Sequence, residues 1–392
     1  MNTDDSHYRS IIVTLNETLF PEIFDNENKK IDLTVLEDKE YFDKKSGNID
    51  CVDILGLPTE CLNSFRTVYT KYAYCAEVNH KIAETVRNSA FAKNKKLAGV
   101  IGPSGIFTDP FSETSFTELI SAYNEQVNAL KDFVDLYIIN NTASMSDMRA
   151  ALLSCKKTGK PVYVIIRAAD DNSEEIDGIS ALGGLITAQA MGADAFGIIC
   201  TDSEEYEETV KELSVYAKIP LIADISAHST DLSESLLSLG VKYFYVGHSA
   251  FEAGCIDRIE KIKNEIYVCP DRSTLDDFFV FTHYGNVFFL EPDTTEISEP
   301  ISCLPDMEEV ISEVCKTSCD VLRVEINSTD DAIDFARNAH MSSLPVMFLS
   351  ENVLALKMAL MLYQGIALID SGTLIPKNEL DEICKKYGAV VY

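Results

Sequence analysis

Short unbroken apolar runs alternate with longer stretches of helical period along most of the chain. Runs rich in β-branched residues occupy 11–15, 51–55, 97–101, 134–139, 161–166, 193–200, 220–225 and 241–246. Unbroken runs, rather than strict apolar–polar alternation, are the pattern of strands covered on both faces, as in parallel sheets. Between most of them lie amphipathic stretches such as 64–90 and 115–133. The second opens on Ser115 with Glu118 three residues on, the spacing of a capping box. Eight strands alternating with helices over about 260 residues predict a (β/α)8 TIM barrel. An open doubly wound sheet is the alternative, because periodicity does not report closure. The first unit is the least regular: residues 20–48 are acidic with a poor helical stripe, and predict a short helix and a long loop.

The pattern changes near residue 265. Residues 278–290 read as a two-strand ribbon turning at Tyr284-Gly285-Asn286. Strands are then predicted at 321–326, 345–349, 366–369 and 389–392, with helices at 330–340, 352–363 and 377–387 between them. This divides the chain into a barrel over 1–265 and a smaller α/β region over 266–392. Four βα strands do not close, so that region must bury one sheet face against the ribbon, the barrel or a second copy.

Composition narrows the function classes. The chain has 63 acidic and 33 basic residues in 392, a net charge of −30, and 46% of its residues are hydrophobic. A field of that sign repels phosphate backbones and anionic lipid, so neither nucleic acid nor membrane is an expected partner. The start MNTDDSHYRS is polar and acidic, unlike a secretory signal, and no apolar run is long enough to cross a bilayer. Eleven cysteines, an odd number with no CxxC pair, read as reduced thiols of a cytoplasmic protein. Cys315 and Cys319, four apart, are predicted to share a helix face as core or boundary thiols.

From strand three to strand eight the chain resembles the homocysteine S-methyltransferase family, including the homocysteine-binding barrel of cobalamin-dependent methionine synthase. The residues that carry this are Gly102-Pro103-Ser104-Gly105, Tyr123, Glu125, Gln126, Ala129, Leu130 and Val134-Asp135-Leu136. Pro161-Val162, Gly192-Ala193-Asp194-Ala195, Gly197, Cys200, Pro220-Leu221 and Val246-Gly247 complete the set. The C-terminal region resembles part of a pterin-binding barrel, through Glu325-Ile326-Asn327, Leu344-Pro345-Val346, residues 365–371 and Lys386-Tyr387-Gly388-Ala389. Asn327 stands where that resemblance implies a pterin-contacting asparagine. The match covers about four strands, a truncated version of such a barrel.

The resemblance implies a zinc ion held by three thiolates, one ending strand six and a Cys-Cys pair ending strand eight. Zinc keeps the acceptor sulfur as thiolate at neutral pH. Cys200 falls on the strand-six position, but the family's Gly-Gly-Cys-Cys-Gly is here Gly247-His248-Ser249-Ala250-Phe251. The family's strand-four Glu-Thr is Asn140-Asn141, and its Asn-Ala-Gly after strand seven is Ser226-Ala227-His228. Cys200, His228 and His248 would end strands six, seven and eight, and Cys/His/His is a chemically valid zinc set; buried or hydrogen-bonded strand-end residues are the other reading.

The expectation is therefore a divergent family member whose classical activity is lost. The alternative is an active thiol S-methyltransferase with a rebuilt Cys/His/His zinc site. A binding or assembly protein that keeps the barrel as a scaffold, or a barrel using His228 or His248 as a general base, also fits. Folate and cobalamin are not expected on this chain alone; a small-molecule thiol, a protein partner or a second copy are the expected partners.

Overall fold

The computed structural model describes residues 8–15, 22–25, 30–38, 40–45, 51–65, 75–90, 92–106, 114–169, 178–199, 203–226, 236–247, 267, 279–291 and 293–392. Eight parallel strands close into a barrel: β1 Ser10–Thr14, β2 Ile54–Gly56, β3 Lys96–Ile101, β4 Leu136–Thr142, β5 Val162–Ile166, β6 Ala195–Ile198, β7 Leu221–Asp224 and β8 Val241–Gly247. β8 pairs back onto β1 with Tyr243 beside Ser10, which shuts the cylinder. The unbroken apolar runs now have their reason. Ile12, Ile54, Ala98, Ile138, Ile165 and Ile222 fill the barrel interior, while their neighbours Val13, Leu55, Leu97, Ile139, Val164 and Ala223 face the surrounding helices. β2 is shifted towards the mouth relative to the 51–55 run, because Asp53 turns its carboxylate back to accept from the Ile11 amide at 2.9 Å.

That last contact is one of three. Asp135, just before β4, accepts from the Leu97 amide at 2.8 Å, and Asp194, just before β6, accepts from the Val162 amide at 2.8 Å. Each aspartate satisfies an amide at the amino-terminal end of the preceding strand. The Val-Asp-Leu and Gly-Ala-Asp-Ala motifs are thus fastenings at the face of the barrel that serves stability.

The barrel helices include α1 Cys75–Asn88, α2 Phe116–Leu130, α3 Met145–Cys155, α4 Ala181–Ala190 and α5 Ser203–Tyr216. Ser115 and Glu118 form the expected capping box at the start of α2. In the irregular first unit, Phe24–Asp25 and Lys30–Ile31 make a small antiparallel ribbon, followed by a 3-10 turn at Leu33–Glu37 and a short helix at Tyr41–Lys45.

The C-terminal region starts with the predicted hairpin, β9 Phe279–His283 and β10 Asn286–Leu290. Its two-residue loop has left-handed backbone at both positions, φ 45° at Tyr284 and 81° at Gly285, the type I′ geometry that matches strand twist. The loop docks on the first turn of α4, where Ser180 Oγ donates to the Gly285 carbonyl at 2.7 Å. A side chain on Gly183 would collide with that carbonyl.

A five-stranded parallel sheet follows, in the order β11 Ile301–Ser302, β12 Leu322–Glu325, β13 Val346–Leu349, β15 Leu368–Ile369 and β16 Val390–Val391. β11 adds one strand to the four in the sequence pattern. The run at 366–369 is divided at Ala367: β14 Gly365–Ile366 pairs antiparallel with β9, and β15 pairs with β13. This crossing joins ribbon and sheet. Val321, Met347 and Leu368 on one sheet face pack with Phe281 and Leu290 of the hairpin and Ile186 of α4. The other face packs against α6 Met307–Val314, α7 Thr329–Asn338, α8 Val353–Leu362 and α9 Lys377–Tyr387, through Ile311, Phe335, Leu356 and Ile383. α6 ends at Val314 with Cys315 as its cap, so Cys315 and Cys319 do not share a helix face.

Two buried polar side chains fix the C-terminal region, Arg149 across the seam with the barrel and His283 within the region itself. Arg149, fully buried on α3, donates to the Gly365 and Leu360 carbonyls, each at 2.7 Å. Burial pushes its guanidinium down to about 10, which still leaves it charged at neutral pH. His283 is held between the Tyr363 hydroxyl at 2.8 Å and the Ser342 carbonyl at 2.9 Å, and burial pushes its imidazole down to about 4.

Candidate functional site

The mouth at the carboxyl ends of the barrel strands is where this architecture gathers chemistry. The inward-facing series of each strand ends there in a polar or small residue. Ile12 leads to Thr14, Ile138 to Asn140, Ile165 to Arg167, Ile222 to Asp224 and Tyr245 to Gly247. Hydrogen bonds lace the ends together. Thr14 Oγ1 lies 2.8 Å from the Tyr245 hydroxyl, joining β1 to β8. The Asp224 amide donates to the Tyr206 hydroxyl at 2.6 Å, and the Gly247 amide to Ser226 Oγ at 2.6 Å, joining β6, β7 and β8.

Glu60 reaches the mouth from the loop after β2. Asn140 Nδ2 donates to Glu60 Oε2 at 3.0 Å, and Asn141 Nδ2 to Glu60 Oε1 at 3.4 Å. Arg167 Nη2 donates to Asn141 Oδ1 at 2.7 Å. Consecutive residues of a regular strand point to opposite faces, and here both amides meet one carboxylate. A bulge between Asn140 and Thr142 makes this possible, with Asn141 left-handed at φ 59°. Left-handed backbone costs a non-glycine residue about 1 kcal/mol, and strain of this kind concentrates at functional sites.

The loops around the mouth are fixed from behind. Gln126 Nε2 on α2 donates to the Thr59 carbonyl at 2.6 Å, and Thr59 Oγ1 to the Val100 carbonyl at 2.8 Å. The Tyr123 hydroxyl donates to Asp147 Oδ1 at 2.7 Å, while Asp147 Oδ2 accepts from the Ser104 amide at 3.1 Å. Tyr123 and Gln126, singled out in the sequence, therefore position the Gly102–Ser104 and Thr59–Glu60 turns. Gly102 has no room for a side chain because Glu60 lies across it. Burial pushes the Tyr245 hydroxyl up to about 12, the Glu60 and Asp224 carboxylates add to this, and hydrogen bonding with Thr14 and Asn140 offsets part of it. Tyr245 is a neutral phenol at physiological pH.

Cys200, His228 and His248, the candidate metal ligands, lie outside the described residues. The strands that precede them, β6, β7 and β8, are consecutive neighbours in the barrel. Among the described residues no group of three or more His, Cys, Asp or Glu side chains could hold a metal ion. The residues that follow Gly247 include Ser249 and Ala250, so the donor set does not reproduce a three-thiolate zinc site. Asn327 sits after β12 with an exposed side chain; its amide donates to Asp331 Oδ2 at 2.8 Å and its carbonyl accepts from Asn352. Among the described residues no helix is long and apolar enough to cross a membrane.

Glu60, Arg167 and Asp224 went unnoticed in the sequence. For Arg167 and Asp224 the signal is position alone, a charged residue at or just past the carboxyl end of an apolar run, while Glu60 lies too far beyond its run to carry it. A separate cavity of about 270 Å³ lies at the seam, lined by Ile186, Tyr216, Lys218, Phe279 and Val390 among others. Its walls are mostly apolar, and the polar groups of the mouth are not among its lining residues.

The sequence profile of homocysteine S-methyltransferases matches residues 63–238. Among solved structures, the metallated homocysteine methyltransferase MmuM from Escherichia coli is similar with a TM-score of 0.48 and 15% identity, over 62% of this chain and 92% of that one. Orotidine 5'-monophosphate decarboxylase from Methanocaldococcus jannaschii gives 0.36 and 16%, over 66% and 100%. Type I 3-dehydroquinate dehydratase from Clostridium difficile gives 0.39 and 13%, over 66% and 92%. No curated protein matches the sequence.

Proposed function

The chain belongs to the homocysteine S-methyltransferase family, and on that premise we propose that it has lost zinc-dependent methyl transfer and keeps the barrel to bind a small polar molecule at its mouth. The observation that carries this is the exit of β8. Where the family resemblance implies two adjacent thiolates, the sequence reads His248-Ser249-Ala250. A hydroxyl and a methyl group do not replace thiolates as zinc ligands. Without a cation beside it, an acceptor thiol of pKa about 8.5 is mostly protonated at neutral pH and is a poor nucleophile.

The described residues at the mouth are nevertheless polar and hydrogen-bonded to one another, which supports retained binding. Glu60, Asn140, Asn141 and Arg167 form a continuous hydrogen-bonded chain at the place where barrel proteins bind their ligands. No folate or cobalamin is assigned to this chain: its C-terminal sheet is open and five-stranded, and Asn327 alone carries over from the pterin-binding pattern. The competing reading is a rebuilt metal site of Cys200, His228 and His248, favoured by the adjacency of the three strands that lead to them.

The test is transfer itself. Purified full-length protein supplied with zinc, homocysteine and either S-methylmethionine or betaine should form no methionine above the protein-free rate. Turnover that disappears in Cys200→Ala would restore the family reaction to this chain.

A further inference from the structure

We propose that the cavity at the seam is a ligand site of its own, separate from the mouth, for a small molecule with an apolar body and one anionic group. Its volume is about 270 Å³. Folded interiors leave few voids larger than a water molecule, so a space of this size calls for an occupant. An apolar cavity of about 150 Å³ takes up benzene, and on that scale this one holds two fused rings or a chain of about eight carbons.

The walls come from both parts of the molecule. Ile186 on α4 and Tyr216 at the end of α5 stand on the barrel side, and Phe279, Ile366 and Val390 on the side of the C-terminal sheets. The Tyr216 ring lies 5.4 Å from that of Phe289, and the Phe279 ring 5.6 Å from that of Tyr392. Phe289 is 43% exposed, so the aromatic surface continues outward from the cavity to solvent. Gly388 ends α9 with left-handed backbone, φ 76°, and a side chain on it would meet Ala190 at 3.1 Å. The two parts therefore touch closely beside the space they leave open.

The polar groups of the lining decide the charge of the occupant. Gln189 has none to spare: its Oε1 accepts from the Lys218 amide at 2.8 Å, and its Nε2 donates to the Tyr216 carbonyl at 3.2 Å. Those two bonds hold the backbone that carries Lys218. Lys218 is exposed and is the one charged residue among the described lining residues. Among the described residues no carboxylate pairs with its ammonium. In a chain of net charge −30, an unpaired cation beside apolar walls favours a ligand with a negative head and disfavours a positive one. The apolar body fills the dry interior, and the anionic group stays at the wet rim with Lys218.

Calorimetric titration of the full chain with octanoate, 1-naphthoate, n-octanol and octylammonium, all below aggregation, tests the site. Octanoate and 1-naphthoate should bind saturably at one equivalent, n-octanol about fivefold more weakly, and octylammonium more weakly still. Lys218→Met keeps the apolar stem at an exposed position and should bring octanoate down to the affinity of n-octanol. Val280→Trp, which fills the cavity from β9, should abolish binding of all four; should that variant not fold, Lys218→Met carries the test. Octylammonium or n-octanol binding as tightly as octanoate would show adsorption to apolar surface and overturn the proposal. So would octanoate affinity unchanged in folded Val280→Trp, an octanoate preference that survives Lys218→Met, or no binding of any of the four.

Discussion

The Asn140 amide donates to the Glu60 carboxylate at 3.0 Å across two strand ends that are not neighbours in the barrel. A side chain from the loop after β2 thus reaches past β3 to β4, over Gly102, which has no side chain to obstruct it. The mouth is organised around this contact, while the amino-terminal face is organised by the three aspartates. The mouth contacts and the strand fastenings occupy opposite ends of one cylinder.

Asp194 should therefore affect stability and leave the mouth unchanged. It accepts from the Val162 amide and pairs with Lys156 Nζ at 3.2 Å, with its side chain 44% exposed. The exposed ion pair contributes little, and the bond to the strand amide contributes most. Asp194→Ala should cost about 1–2 kcal/mol in urea unfolding.

Arg149 is a buried cation that donates to two carbonyls of the C-terminal region, one of them the Leu360 carbonyl in the last turn of α8. Truncation leaves both carbonyls unpaired and opens a cavity, though it also relieves the burial of a charge. The first two effects should win: Arg149→Ala is expected to lose about 3 kcal/mol or more. Arg149→Met, closer in volume, should recover part of it. An alanine variant as stable as the parent in urea unfolding would show that this contact does not hold the seam.

His283 predicts a pH window. Its folded value lies near 4, below the unfolded value of about 6.5, so the unfolded chain takes up a proton that the folded chain refuses. The stability of the neutral, buried ring is complete above about pH 6.5 and is lost as the pH falls towards 4. From pH 7 to pH 5 this amounts to about 2 kcal/mol. His283→Gln should be less stable at pH 7 but should lose about that much less on acidification, measured by urea unfolding at both pH values. Parallel pH profiles of the two proteins would contradict the assignment.

Much of this fold was legible because parallel strands covered on both faces write themselves as apolar runs, as 161–166 and 241–246 do. Ser115 with Glu118, and Tyr284-Gly285 between two aromatic runs, gave local geometry directly. β11 escaped notice because it has only two residues after a proline, and the division at Ala367 because one apolar run serves two sheets. The helical reading of 315–319 failed because α6 ends at Val314 and Thr317 turns its hydroxyl back to the Val314 carbonyl. At the mouth, strand-end chemistry was readable as position, but Glu60 was not. Its role depends on a loop crossing a glycine and on a bulge that places two adjacent amides on one carboxylate. No periodicity encodes either.

Metal stoichiometry tests the proposed loss of the thiolate zinc site most directly. Full-length protein, incubated with zinc and passed through a chelating competitor, should retain well under one equivalent by elemental analysis. One equivalent of zinc that is lost in both Cys200→Ala and His248→Ala would contradict the account and establish a rebuilt site at the ends of β6, β7 and β8.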